Sequence, residues 1–578
     1  MRALARASAS LLFFAARSHT RAAALLLAFG LLAFSPGLLT MQPMDRDEPR
    51  FAQATKQMLE TGDYVDIRFQ NEARHKKPVG IYWIQAVSVS IGEARGVSEA
   101  RRQIWLYRLP SLLGALASVL LAYWASLALL PRRDAVAAAL IFGATILIGV
   151  EARIAKTDAV MCATAVVAFG ILARLWVLRR TASITTGEMF ALWAAIGLSV
   201  LLKGPVIGGV FAIAATILSI RERSVQWLRP IADWRGAILA LLIVLPWFAT
   251  ITLKTGGAFF AEAVRNDMLG KVAGGQEMHG APPGLYFLIF PLTFWPASAL
   301  LCLAVPYAWR NRTDDVVSAC LAWAAPAWIM FELIPTKLPH YVLPLFPALA
   351  ILTAKAAAEG GVFVRRGWRA VALALTPVIP IGFAALAVFA TATLEPGGVQ
   401  RFLPLVWAAP LFVLAILFAF AIVQIVRANR AALAAPIIAA ATLALSWSVY
   451  QFAWPALRSI QLSPLLAAAT KASGCADPLV ATVGGYNEPS LVFLTRTDLA
   501  MLDAGADAAD FMAGDGCRIA LVDVRAEPAF VEQAKRRGLT PRLLTRIEGV
   551  NINRAFERNS LTLRRMDIGV YLRDTSRP

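Results

Sequence analysis

The chain is 578 residues long; 58% of them are hydrophobic and only 16% are charged. That is more apolar side chain than a soluble core of this size can bury, so a water-soluble architecture is excluded. The formal charge of +19 does not indicate nucleic acid, because the basic residues fall in short clusters between apolar runs of about 20 residues, as in the loops of a multispanning membrane protein.

The first apolar run, Ala22 to Leu39, follows Arg2, Arg6, Arg17 and Arg21 and reads as a retained signal anchor. Further runs lie near 104–130, 135–152, 159–178, 188–202, 205–220, 236–253, 284–309, 315–334, 341–357, 369–393, 402–427 and 431–456. Together they predict about thirteen transmembrane helices. With the N-terminus inside, the clusters Arg132/Arg133, Arg179/Arg180, Arg221/Arg223/Arg229/Arg235, Arg310/Arg312, Arg365/Arg366/Arg369 and Arg427/Arg430 all face the cytoplasm. Loops 41–103, 254–283, 335–340 and 394–401 then face outward, as does the stretch 457–578.

The expected fold is therefore an all-α polytopic membrane domain over 1–456, with 41–103 as its first outer loop, and a small outer-face α/β domain over 457–578. In the latter, Pro478 to Val483 and Arg518 to Val524 read as short buried strands, and Pro528 to Arg537 as an amphipathic helix. Of five cysteines, Cys162, Cys302 and Cys320 lie in apolar runs and read as small buried hydrophobes. Cys475 and Cys517 fall in the outer domain, where a disulfide and two free thiols are both open. No cysteine spacing indicates zinc.

Candidate chemistry concentrates in loop 41–103. Asp45 or Asp47 could cap a helix starting near Pro49. Three acids (Asp45, Asp47, Glu48) beside Arg46 and Arg50 exceed what a cap uses, and a carboxylate there could also act as a base beside an anionic substrate. Lys56 is expected on the solvated face of that helix. Arg74-His75-Lys76-Lys77-Pro78 leads into Tyr82 and Trp83. It reads either as an interfacial anchor, with the aromatic rings at headgroup depth, or as a clamp for a lipid-linked phosphate. Other outer-face ionisable groups lie where spans meet the surface: Glu151 to Asp158, Lys203-Gly-Pro205 and Lys337-Leu-Pro-His340-Tyr341. A metal held by His279 and Glu48 is conceivable, but no ligand spacing supports it. There is no Gly-rich nucleotide loop.

These residues carry a resemblance. Asp47-Glu-Pro-Arg50-Phe-Ala, Met58-Leu-Glu-Thr-Gly-Asp63-Tyr and Lys77-Pro-Val-Gly-Ile-Tyr-Trp83 resemble the first-loop run of the aminoarabinose transferase and protein O-mannosyltransferase group, GT-C fold enzymes of the glycosyltransferase family 39 or 83 type. Arg108-Leu-Pro-Ser111, Asp158, Leu202-Lys-Gly-Pro205, Pro246-Trp247, His279-Gly-Ala-Pro-Pro and Lys337 through Pro347 continue it in order. The resemblance covers roughly 40–460, and Gly485 to Phe493 is similar to the outer domain of the aminoarabinose branch.

The resemblance implies a transferase in the bacterial inner membrane that moves a sugar from a polyprenyl phosphate to lipid A, or to another envelope glycan or protein, on the periplasmic face with inversion. It matches Asp47 to the catalytic carboxylate, Asp158 to a second acid, and Arg50 and Lys77 to donor-phosphate ligands. Lys271, His340 and Tyr341 fall near donor-contacting positions; Glu48, Lys76, Lys203, His279 and Lys337 are further candidates. One departure is Lys76, where aminoarabinose transferases carry Glu, which leaves the sugar, the acceptor and any divalent metal open. Within the class, protein O-mannosyltransferase is the alternative. Outside it, a lipid or glycan transporter is the rival, against which the ionisable groups gather at one face and show no inverted repeat.

Overall fold

The computed structural model describes residues 2–44, 47–263, 270, 280–362, 367–552 and 564–574. The membrane part is helical throughout. Its first eleven long elements are α1 (Arg2–Ala16), α2 (His19–Phe34), α3 (Asp47–Thr61), α4 (Gly80–Ala94), α5 (Ile104–Ser126), α6 (Arg132–Gly143), α7 (Ile146–Glu151), α8 (Asp158–Leu178), α9 (Thr186–Lys203), α10 (Val206–Glu222) and α11 (Trp234–Thr255).

Every apolar run predicted as a span is helical, but among the described residues nine helices are long and apolar enough to cross a membrane. Four runs fall short of that. α2 has 16 residues and α10 has 17, about 24 to 26 Å of helix against a hydrocarbon core of about 30 Å. The run 135–152 breaks at Ala144–Thr145 into α6 and α7, and 284–309 breaks between Leu285–Thr293 and Ser298–Arg310 around Trp295-Pro296. The thirteen-helix expectation counted apolar length, which does not register such breaks. α1 is a further helix ahead of the first run; it buries Ala5, Ser8, Leu12 and Ala15 at helical spacing.

The two ends of the bundle differ in chemistry. At one end Arg179 joins Glu222 and Asp315, Arg221 donates to Arg312 O and Thr313 O, and Lys355 meets Asp314. At the other gather the 41–103 loop, the 152–157 turn, the α9–α10 junction, the Pro339–Leu345 turn and the C-terminal α/β part. Close approach at this end depends on Gly80: a Cβ there would lie 2.8 Å from Leu201 O. Its absence lets the start of α4 sit on the end of α9, which places the Lys76-Lys77-Pro78 segment beside Lys203.

The 41–103 loop also carries the short hairpin β1 (Arg68–Phe69) and β2 (Glu72–Ala73). The C-terminal part is a five-stranded sheet of β3 (Leu479–Val483), β4 (Ala500–Leu502), β5 (Cys517–Asp523), β6 (Arg542–Asn551) and β7 (Arg564–Asp574), in the order β4-β3-β5-β7-β6. β3, β4 and β5 run parallel, and β7 is antiparallel to both β5 and β6. The two predicted strands are β3 and β5, and the predicted helix is Glu527–Arg536. Cys475 and Cys517 form a disulfide with a Cα–Cα distance of 6.4 Å.

This part docks on α3 through the helix Pro489–Leu494. Phe493 packs edge-on against Tyr107 at 5.2 Å, and Gln53 Nε2 donates to Thr497 Oγ1. Lys56 Nζ donates to Phe493 O at 3.1 Å. Lys56 is therefore buried, not solvated as its helix position suggested, because its partner arrives from a distant part of the chain.

Candidate active site

Glu48 and Arg108 form the innermost pair, and both side chains are fully buried. Arg108 donates from Nε to Glu48 Oε1 at 2.7 Å and from Nη2 to Oε2 at 2.9 Å. Its remaining donors reach Leu38 O, Met41 O and Gln42 O. Glu48 further accepts from Met44 N at 2.7 Å and Ala155 N at 2.9 Å. A buried ion pair is tolerable only when its spare donors and acceptors are satisfied, as they are here. Glu48 is thus fully engaged as a strut tying α3 to α5 and to the 152–157 turn.

The strut fixes the neighbouring positions. Asp47 is the first residue of α3 and solvent-exposed, so the helix starts two residues earlier than expected and Asp47 occupies its first turn rather than the cap. Arg50 lies one turn along, half-buried. Asp45 lies outside the described residues.

Asp158 opens α8 and is buried. Lys203 Nζ, at the end of α9, donates to its Oδ1 at 2.5 Å. His340 Nε2 stands 3.7 Å from the same oxygen, and His340 Nδ1 stands 3.7 Å from Glu151 Oε1. Lys156 Nζ is 3.4 Å from Glu151 and 4.0 Å from Asp158. Lys203 also lies 4.9 Å from the centre of the Tyr341 ring. Asp47 is within electrostatic reach of Lys156, and Lys77 of His340, so the first-loop groups and the buried cluster share one field. Glu151 and Lys156 belong to the segment that the sequence marks as ionisable groups where a span meets the surface, but it assigns no role to either. The available signal was two acids and a lysine around a break between apolar helices.

Donor atoms of Glu151, Asp158 and His340 lie within 4.8 Å of one another, a spacing that would suit a metal. The charges do not: each carboxylate already has an ammonium beside it, from Lys156 and Lys203. A divalent ion would add uncompensated positive charge to a buried site.

Next to the cluster opens a cavity of about 390 Å³. Lys76, Lys77 and Lys203 stand in its lining, with Tyr341. The rest is largely apolar, with Phe248, Phe259, Phe260 and Phe331 prominent. The chemistry is that of a site for an anionic head on a hydrocarbon tail.

Other candidates fall elsewhere. His75 is buried and bonds Asp66 through Nε2 at 2.8 Å, and Arg74 stacks over Phe51 at 5.0 Å, so of the basic knot only Lys76 and Lys77 line the cavity. Tyr82 is fully buried, so its ring is not presented to lipid as an anchor. Lys337 is buried and donates to Ala281 O and Ile334 O at 3.0 and 2.6 Å; it braces a turn and lines no part of the cavity. Lys271 and His279 lie outside the described residues.

With this geometry in view, three comparisons bear on identity. The family described as dolichyl-phosphate-mannose-protein mannosyltransferase matches residues 76–249. Curated relatives named undecaprenyl phosphate-alpha-4-amino-4-deoxy-L-arabinose arabinosyl transferase include one from Edwardsiella ictaluri, 28% identical over 55% of this chain and 56% of its own length. Another, from Pseudomonas paraeruginosa, is 29% identical over 64% of this chain and 65% of its own. The chain thus spans a little over half to two thirds of the length of these relatives. The crystal structure of ArnT from Cupriavidus metallidurans bound to undecaprenyl phosphate has a similar fold, with TM-score 0.69 and 18% identity over 94% of this chain and 97% of that one. The protein is a membrane protein of the GT-C fold. Within that fold it is similar to the undecaprenyl phosphate-aminoarabinose transferases and, over residues 76–249, to the dolichyl-phosphate-mannose-protein mannosyltransferase family.

Proposed function

We propose that the protein is a glycosyltransferase of the bacterial inner membrane that takes a sugar from a polyprenyl phosphate and transfers it, with inversion, to lipid A or a related envelope acceptor at the periplasmic face. The observation that carries this reading is the 390 Å³ cavity, whose lysines adjoin phenylalanine walls beside the Asp158 cluster. The orientation rests on the alternation of arginine clusters along the sequence. The division of labour is a membrane domain over 1–456, with 41–103 as its catalytic loop, and a periplasmic domain over 457–578.

In this reaction the bond between the anomeric carbon and the phosphate oxygen breaks, and its electron pair leaves with the phosphate. Lys77, Lys203 and Arg50 offset the charge that develops there, with Tyr341 beside them. The acceptor oxygen attacks the opposite face of the sugar, and Asp47, solvent-exposed at the start of α3, takes its proton. A lipid A phosphate would arrive already anionic, and Asp47 would then position it. Asp158 accepts a hydrogen bond from Lys203 and holds it beside the cavity, and His340 packs between the two buried acids. No step requires a metal.

Transfer of labelled sugar from a polyprenyl phosphate by the purified protein tests the reading, alongside mass spectrometry of lipid A and surface glycans from a deletion strain. A missing sugar in the deletion strain with transfer in vitro is expected. Unchanged glycans and no transfer would overturn it. Glycan relocated without a new glycosidic bond would favour a transporter. The family match over 76–249 supports a second reading, protein O-mannosylation, which glycoproteomics of the same strain separates.

A further inference from the structure

A second cavity, of about 330 Å³, lies between the first outer loop and the C-terminal α/β part, and the mechanism above makes no use of it. Its basic side chains, Lys56, Arg102 and Arg496, are matched by the acidic Glu60, Asp477 and Asp498. Gln57, Gln70, Asn71, Thr495 and Thr497 complete the lining, which among the described residues has no aromatic or aliphatic side chain.

The walls are held before any ligand arrives. Arg496 forks onto Asp498 at 2.7 and 3.0 Å. Thr497 Oγ1 donates to Glu60 at 2.6 Å. Gln57 and Gln70 exchange hydrogen bonds of 2.7 and 2.9 Å. Lys56 is 3% exposed, and its ammonium, with three donors, makes one hydrogen bond, to Phe493 O, with Glu60 at 3.8 Å. A buried cation with donors to spare beside a polar cavity is costly unless something accepts from it. Burial draws its pKa down to about 8, against the opposing pull of Glu60.

We propose that this cavity is a saccharide-binding subsite. Balanced charge excludes a strongly anionic or cationic ligand, and the lack of apolar lining excludes a hydrophobic peptide side chain. A sugar offers a donor and an acceptor in each hydroxyl, which amides, carboxylates and ammonium groups satisfy together. α3 carries Asp47 at its start and Gln57 on the cavity wall, about 15 Å further along the helix at about 1.5 Å per residue. Its role as an acceptor subsite, holding the outer sugars of a glycan whose attacking group reaches Asp47, rests on the transferase reading. Saccharide binding itself does not.

The test is titration calorimetry on the full chain in detergent, without donor, using a neutral oligosaccharide of hexoses. Saturable binding is expected. Asn71→Ala, on an exposed hairpin turn, and Arg102→Ala should together weaken it about tenfold, which is about 1.4 kcal/mol, with the melting temperature unchanged. In transfer assays the same pair should raise the acceptor KM and leave donor KM and kcat alone. No binding at millimolar oligosaccharide, or binding that ignores both substitutions, would overturn the subsite. Binding without any sugar transfer would keep the subsite and overturn the transferase reading instead.

Discussion

Replacing Glu48 by alanine should destabilise the protein far more than it changes any contact with substrate. The substitution removes the acceptor for Arg108 Nε and Nη2, Met44 N and Ala155 N at once. It leaves a guanidinium at zero exposure with only three carbonyls for company. Breaking a buried pair from one side typically costs about 3–5 kcal/mol. An exposed i,i+4 pair such as Arg536–Glu532 is worth about 0.3–0.5 kcal/mol. In a thermal melt in detergent, Glu48→Ala should therefore lower Tm several-fold more than Glu532→Ala. Glu48→Leu combined with Arg108→Met should recover much of that loss, since the unpaired charge goes as well. Equal shifts for Glu48→Ala and Glu532→Ala would refute the strut. So would a double variant as unstable as the single one.

Three further expectations concern the site and its surroundings. Lys77→Ala should lose on the order of 2 kcal/mol of donor-phosphate interaction, roughly thirtyfold in kcat/KM, while Lys535→Ala on an exposed face changes nothing; equal losses in a transferase assay would remove the clamp. Asp47→Asn should cut the rate at least a hundredfold with a hydroxyl acceptor and leave Tm alone; a small loss would indicate an acceptor already anionic, and full activity would discard Asp47 in favour of Asp158. Lys56, drawn from 10.5 to about 8 by burial, makes docking of the C-terminal part pH-dependent. Between those values the undocked chain holds a proton that the docked chain has released, so docking strengthens as pH rises from 8 toward 10.5, by at most about 1.4 kcal/mol per unit. Limited proteolysis across that range should show growing protection that Lys56→Met abolishes, and a flat profile in the unsubstituted protein would contradict the assignment.

What the sequence could and could not show follows from the range of each signal. Apolar run length is a local quantity, and every run it marked is helical, although it includes neither the helix Arg2–Ala16 nor the breaks that leave nine described helices long enough to cross a membrane. The strands β3 and β5 and the helix after β5 were legible for the same reason. The partners of ionisable groups were not, because they are set by tertiary neighbours. Glu48 stood beside Asp47 in one motif, yet one is spent on Arg108 and the other faces solvent. Lys56 looked solvated because Phe493 is 437 residues away. Glu151 and Lys156 were marked as charges at a span boundary but given no role, because their relation to His340 appears only when the Pro339–Leu345 turn packs beside α7 and α8.

Interruptions of helical backbone build this site. α7 ends at Glu151, α9 ends at Lys203 with Gly204 at φ +78°, and His340 and Tyr341 stand on a turn of 3-10 type. Backbone that leaves the helix inside the protein leaves buried amides and carbonyls without their helical partners, so it survives only where other protein groups take over. Here they do. Glu48 accepts from Ala155 N, Ser111 Oγ donates to Lys156 O at 3.1 Å, and Arg153 donates to Gly149 O, Ala33 O and Pro36 O. Glu48 and Arg153 therefore matter to the site through the breaks they sustain. The breaks in turn present Glu151, Lys156, Asp158 and Lys203 to one another. Straightening one of these interruptions with helix-forming apolar residues would remove the reason those charges can be buried at all.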